Sequence, residues 1–182
     1  ARRPWRAGLS GKLLFLTIVF VMISEILIYV PSIANFRLTW LHDAHATASV
    51  AAIVLAEGTE VPKALQGRLL SSTNTIAIAL VTGDRRRLLA IDMPPETVDV
   101  HVDLSDMHVM KAITEAFAVL LEPKPRTIRV TGDAPGSGER VEIVISDSRL
   151  RAAMLAYSRN IMLLSLVISI ISAVLVYMSL RW

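Results

Sequence analysis

The sequence predicts an α+β domain held between two transmembrane helices. Two apolar stretches lie near the ends of the 182-residue chain, Leu13 to Val30 (LLFLTIVFVMISEILIYV) and Ile161 to Leu180 (IMLLSLVISIISAVLVYMSL). Each approaches the roughly 20 residues that cross a hydrocarbon core as a helix. The intervening segment has ordinary globular composition and a size that suits one domain with a core of its own. Helical periodicities alternate there with strand patterns. The mean hydropathy of +0.54 therefore averages two very different regions.

These boundaries divide the chain into a basic N-terminus (1–12), a first span (13–30), an outer domain (31–160), a second span (161–180) and a short end (181–182). Two crossings return the chain to its starting side, so both termini share one compartment. Arg2, Arg3, Arg6, Lys12 and Arg181 lie outside the domain against the single acid Glu25, whereas the domain is close to neutral. By the positive-inside rule the ends are cytoplasmic and the domain is periplasmic. Trp5, Tyr177 and Trp182 fall at the expected inner interface, and Tyr29, Trp40 and Tyr157 near the outer one. The net charge of +3 thus reports topology and argues against nucleic acid as a partner. A cleaved signal peptide is the rival reading of the first stretch. Its length and the sequence Glu25, Tyr29, Pro31 do not fit a small-residue cleavage site. With no cysteine, thiol chemistry and Cys-based metal sites are excluded.

Along the domain, Ile33 to Glu57 reads as a long helix continuing the first span outward and ending at Gly58. Pro31 starts or kinks it. Leu38, Leu41, His45, Ala48, Ala52 and Leu55 form a heptad-like seam, the candidate dimer or signalling face. Val61 to Leu70 is a short helix with Pro62 in its first turn. Thr75 to Thr82 and Arg87 to Asp92 are strands joined through Gly83-Asp84, and Pro94-Pro95 breaks the chain. Val98 to Leu104 alternates like a half-buried strand. Ser105 or Asp106 caps a helix whose apolar side is Met107, Met110, Ile113, Phe117 and Leu121. Thr127 to Thr131 and Val141 to Ser146 make a final hairpin across the loop 132–138, and a helix from Arg149 runs into the second span. The sheet is expected to be mostly antiparallel with helices on one side.

Glu25 is the sharpest single residue, because a carboxyl within a span is a functional hypothesis by default. One reading has it hydrogen-bonding across the helix interface at the depth of Ser165 and Ser169. The other has it snorkelling outward beside Tyr29. Ser165, Ser169 and Ala173 recur every four residues, a row of small side chains that lets membrane helices approach closely. His42, Asp43 and His45, and Asp99, His101, Asp103 and His108, invite a metal proposal, but no pair has metalloprotease spacing. Alternating polar residues on a strand are normally its solvated face, and no metal or cofactor is expected. Arg85, Arg86 and Arg87 read as a solvated hairpin tip, with an anion or headgroup contact as the alternative. No nucleophile–base arrangement or phosphate-binding Gly loop stands out, so the chain has no recognisable catalytic residues.

The organisation resembles the input half of a bacterial membrane-bound sensor histidine kinase. The stretches GLSGKLLFLTIVFVMISEILIYVPSIANFR and AYSRNIMLLSLVISIISAVLVYMSLRW look like proteobacterial, notably α-proteobacterial, examples. The resemblance implies a PAS-like periplasmic sensor domain, to which the helix before the final hairpin is a loose match. It implies a homodimer paired along the first long helix, with His45 adding pH sensitivity, and a small-molecule or periplasmic protein signal passed through the spans. The family continues into a HAMP linker and an ATP-binding kinase, which do not precede Trp182. A two-span accessory subunit of a larger membrane complex is the competing expectation, with an adhesion or scaffold role behind it.

Overall fold

The computed structural model describes residues 9–57, 61–83, 85–92, 98–122, 124–134 and 139–181. Outside the described residues lie the basic positions Arg2, Arg3 and Arg6, the aromatic residues Trp5 and Trp182, and Gly58, Asp84 and Pro94-Pro95. Part of the loop 132–138 is also outside them. The elements are α1 (Leu9–Glu57), α2 (Lys63–Thr73), β1 (Ala77–Thr82), β2 (Arg85–Ile91), β3 (Val100–Asp103), α3 (Val109–Leu121), β4 (Thr127–Asp133), β5 (Arg140–Ser146) and α4 (Ser148–Arg181). The chain divides into two compact units. One combines the residues up to Ile33 with those from Ala156 on, and the other is Ala34–Leu155.

The second unit is α+β, with a five-stranded sheet in the order β2-β1-β5-β4-β3. All pairings are antiparallel except β3 with β4, which run parallel. Parallel neighbours need a crossover, and α3 supplies it. The helix ahead of the final hairpin is thus a topological necessity. Strand alternation gives the sheet two faces. Ile78 on β1, Ile128 and Val130 on β4, and Ile143 and Ile145 on β5 are fully buried, with Val102 on β3. The opposite face carries Arg86, Arg129, Arg140, Glu142 and Asp103.

The part of α1 in this unit buries one stripe, Ala34, Arg37, Leu41, His45, Ala48, Ala52 and Leu55. Its spacings of three and four are those of one helix face. Five of the six seam residues read from the sequence lie on it, and Leu38 is half-buried beside it. The stripe meets the chain's own sheet: His45 Nε2 lies 3.0 Å from the Val141 carbonyl, which fixes it as the protonated nitrogen that donates. Ser49 Oγ donates to the His45 carbonyl at 2.8 Å. Free to meet a second copy are residues of the other face, including Ala46, Val50 and Val54. Leu41, His45, Ala48, Ala52 and Leu55 are thus buried within this chain, and pairing a second copy through them would uncover its core.

Two expectations are revised. The buried side of α3 is Ala112, Ala116 and Val119, while Met110 and Leu121 are 72% and 79% exposed. Small residues at i, i+4 and i+7 let the helix sit close, which larger side chains would prevent. His108 takes the N-cap position without a side-chain cap bond, and Asp103 Oδ1 instead accepts the Ser105 amide at 2.9 Å. That bond, aided by Arg140, holds the Asp103 carboxyl below its ordinary pKa. Gly132 belongs to β4 rather than to the loop, and a Cβ there would crowd the His45 ring at 3.0–3.3 Å, which favours glycine.

Gly132→Ala is expected to cost about 1–3 kcal/mol, since the pinned His45 ring cannot retreat without losing Val141. Urea unfolding of the double variant with His45→Ala should show the two losses to be clearly less than additive.

Candidate functional site

The first unit contains the polar residues Glu25, Tyr29 and Ser169 within two long apolar helices. Phe15–Glu57 and Ser148–Ser179 are helices long and apolar enough to cross a membrane. Their outward side chains include Phe15, Phe20, Leu27, Met162 and Leu164, all more than half exposed. Leu, Ile, Val, Phe and Met in runs of this length form helices whose backbone groups are satisfied internally, which is what a hydrocarbon environment demands.

Glu25 and Ser169 meet. Ser169 Oγ donates to Glu25 Oε1 at 3.2 Å, and both residues are half-buried. Beside them is a cavity of about 120 Å³ whose lining includes Thr17, Val21, Met22, Ser172 and Ala173. Two of the three small residues proposed from the sequence, Ser169 and Ala173, therefore border Glu25. Ser165, one turn away, is half-buried and lies outside this lining. A second polar contact joins the same pair of helices, the Tyr29 and Ser158 hydroxyls at 2.7 Å. Sequence reasoning placed Tyr29 at an interface as an amphipathic ring and missed its partner. The available signal was that Tyr29 follows Glu25 by one helical turn, on the same face.

The folded unit carries charged groups that periodicity does not reveal. Arg37 is 1% exposed, and its Nη2 lies 2.8 Å from Oε2 of Glu115 on α3. Its Nε and Nη1 have no hydrogen-bond partner among the described residues. Burial pushes the Arg37 pKa down, and Glu115 works against that. On the polar face of the sheet, Glu142 is a buried hub that receives Arg86 and, at 3.0 Å, Arg129. Arg85, Arg86 and Arg87 are all exposed, as a solvated hairpin tip would be, and Arg86 in addition reaches across the strands to Glu142. Asp147 accepts the Arg126 amide at 2.8 Å and its Nε at 3.2 Å, fixing the turn into α4.

The two metal candidates are taken apart. His45 is buried against β5, whereas His42 and Asp43 are exposed. Asp99 accepts the Thr127 amide, and Asp103 pairs with Arg140. Among the described residues no group of three or more His, Asp or Glu is placed to hold a metal ion.

A cleft in the folded unit, with a volume of about 440 Å³, lies between α1, the end of α2 and the start of α4; Trp40, Asp43, Asn74 and Arg149 are among its lining residues. No family model, curated protein or solved structure matches the chain.

Removing either partner of the Glu25–Ser169 bond is expected to weaken helix pairing by about 0.6 kcal/mol, the average for such bonds in membranes, and by no more than about 1.7. In a double-mutant cycle of Glu25→Leu and Ser169→Val, unfolding in detergent should give a non-zero coupling energy. Additive losses would assign the bond no pairing role.

Proposed function

We propose that this chain is the membrane-spanning input module of a two-component sensor histidine kinase, with a PAS-like periplasmic domain between two spans and both termini cytoplasmic. The observation that carries the proposal is helical continuity. α1 is unbroken from Leu9 to Glu57 and α4 from Ser148 to Arg181, so each helix holds both apolar span residues and residues of the folded unit. A membrane anchor alone needs only the apolar part. A stiff helix shared between the two regions suits transmission of a shift from one to the other.

Mechanistically, a signal biases the domain between two states, and it can do so only through different affinity for them. The bias reaches the spans as displacement of α1 against α4. The Glu25–Ser169 and Tyr29–Ser158 contacts then act as discrete polar positions between otherwise apolar helices. Hydrogen bonds are directional, so such contacts favour particular alignments, whereas lipid-like side chains slide past one another at little cost. The homodimer of this reading uses the outward stripe of α1 at Ala46, Val50 and Val54. The strand order and the final hairpin support the PAS-like assignment, and the parallel β3–α3–β4 crossover is its departure.

The chain has no cysteine, so single-cysteine variants test the topology cleanly. Val109→Cys, at a 73% exposed position, should react with a membrane-impermeant maleimide in intact spheroplasts. Lys12→Cys should react only after lysis. The reverse pattern would overturn the topology. The genomic reading frame beyond Trp182 tests the kinase assignment: a HAMP linker and kinase there support it, and a stop followed by genes of a membrane complex favours the subunit alternative.

A further inference from the structure

We propose that the cleft between α1, the end of α2 and the start of α4 is a binding site for a free α-amino acid, whose ammonium meets Asp43 and whose carboxylate meets Arg149. Its volume of about 440 Å³ falls within the usual range for small-molecule sites. Among its lining residues are Trp40, Asp43 and Thr47 from α1, Asn74 at the end of α2, Ile145 on β5 and Arg149 on α4.

Two solvent-exposed charges of opposite sign, unpaired among the described residues, define its chemistry. Elsewhere in the unit the buried or half-buried carboxylates Glu115, Glu142, Asp103 and Asp147 are each matched to an arginine. The side chains of Asp43 and Arg149 line one cavity, yet neither is paired with the other or with any described residue. The hydroxyls beside them are committed to backbone. Thr47 donates to the Asp43 carbonyl, and Ser72 and Thr73 donate to the Leu69 carbonyl. The Asn74 side-chain amide is left as the neutral polar group, held by a left-handed backbone at φ 54°.

The helix ends reinforce the same polarity. α4 has no acidic residue in its first turn, and the Asp147 carboxylate preceding it is engaged by Arg126. A carboxylate beside Arg149 would therefore meet both a guanidinium and the positive end of a helix. α2 has no basic residue in its last turn, so its negative end, like Asp43, lacks a cation. One ligand carrying an ammonium and a carboxylate a few ångströms apart answers both. The half-buried Trp40 ring offers an apolar surface for its side chain.

The inference deepens the sensor reading by naming a ligand class, and rests on it for the physiological role alone. Binding without any change in kinase output would keep the site and remove the coupling, so the two fail separately.

The test uses the full chain in lipid nanodiscs, carrying Trp5→Phe and Trp182→Phe so that Trp40 is the one indole. Each proteinogenic L-amino acid is titrated to about 10 mM by calorimetry and Trp40 fluorescence, a range that captures millimolar affinity. At least one should bind saturably, with its N-acetyl and methyl-ester derivatives at least about tenfold weaker. Asp43→Asn should erase discrimination against the N-acetyl form, and Arg149→Gln discrimination against the ester. Both positions are exposed, and unchanged circular dichroism verifies folding. Saturation by none of the amino acids would overturn the proposal, as would wild-type affinity and discrimination in both variants. Preference for a single-charge ligand would do the same.

Discussion

A guanidinium with almost no access to solvent fixes how the folded unit is assembled. Arg37 occupies a position on α1 that an apolar residue would fill at little cost, yet its charge must be neutralised within the core. Desolvating such an ion costs several kcal/mol even after relaxation. Glu115 provides the counter-charge from α3. That requirement sets where α3 docks, because the carboxylate must arrive beside a helix already laid on the sheet by Leu41, His45 and Ala48. The stripe Ala112, Ala116 and Val119 brings α3 close enough for it to do so. A hydrophobic pair would supply similar stability with less directional demand, so the buried ion pair is best understood as specifying one arrangement of α1 and α3.

The same helix explains which parts of the fold were legible in the sequence. The six-residue seam from Leu38 to Leu55 is a strong periodic signal, and five of its members are buried. Periodicity gives a buried face without naming what covers it. A helix on its own sheet and a helix on a second copy leave the same trace. The strands were legible for a similar reason, since alternation such as Val100 to Asp103 survives whatever packs above it. The parallel β3–β4 pairing was not legible, because strand direction depends on the path of the connection and not on the composition of either strand.

The face of α3 was misplaced for a more particular reason. Hydrophobicity scales rank Met110, Ile113 and Leu121 above alanine, so the apolar side was assigned to them. Close packing rewards the fit of small residues when the helix must approach a neighbour, and Ala112 and Ala116 won. Arg37 and Glu142 were missed because a charged residue within an apolar pattern is read as the exposed member of it. In the apolar helices the opposite holds: Glu25 stands out because its surroundings are uniformly apolar, and Ser169 could be matched to it by its position along the second helix.

Magnitudes separate the fixed parts of the proposed sensor from the moving ones. A ligand at a hundred times its Kd stabilises the state it prefers by about 2.7 kcal/mol. A signal of that size can reverse only an equilibrium whose states lie within roughly the same energy. Breaking a buried ion pair such as Arg37–Glu115 costs about 3–5 kcal/mol, more than such a ligand supplies. That pair must therefore persist in both states, and α1 and α3 must move as one piece. The Glu25–Ser169 bond, about 0.6 kcal/mol on average for its kind in a membrane and at most about 1.7, falls inside the ligand's reach. It can be exchanged for another alignment of the spans, or for one with water at Glu25, within the energy a bound metabolite delivers. A carboxylate kept in a helix pair at this strength holds the alignment firmly enough to define it and weakly enough to be displaced.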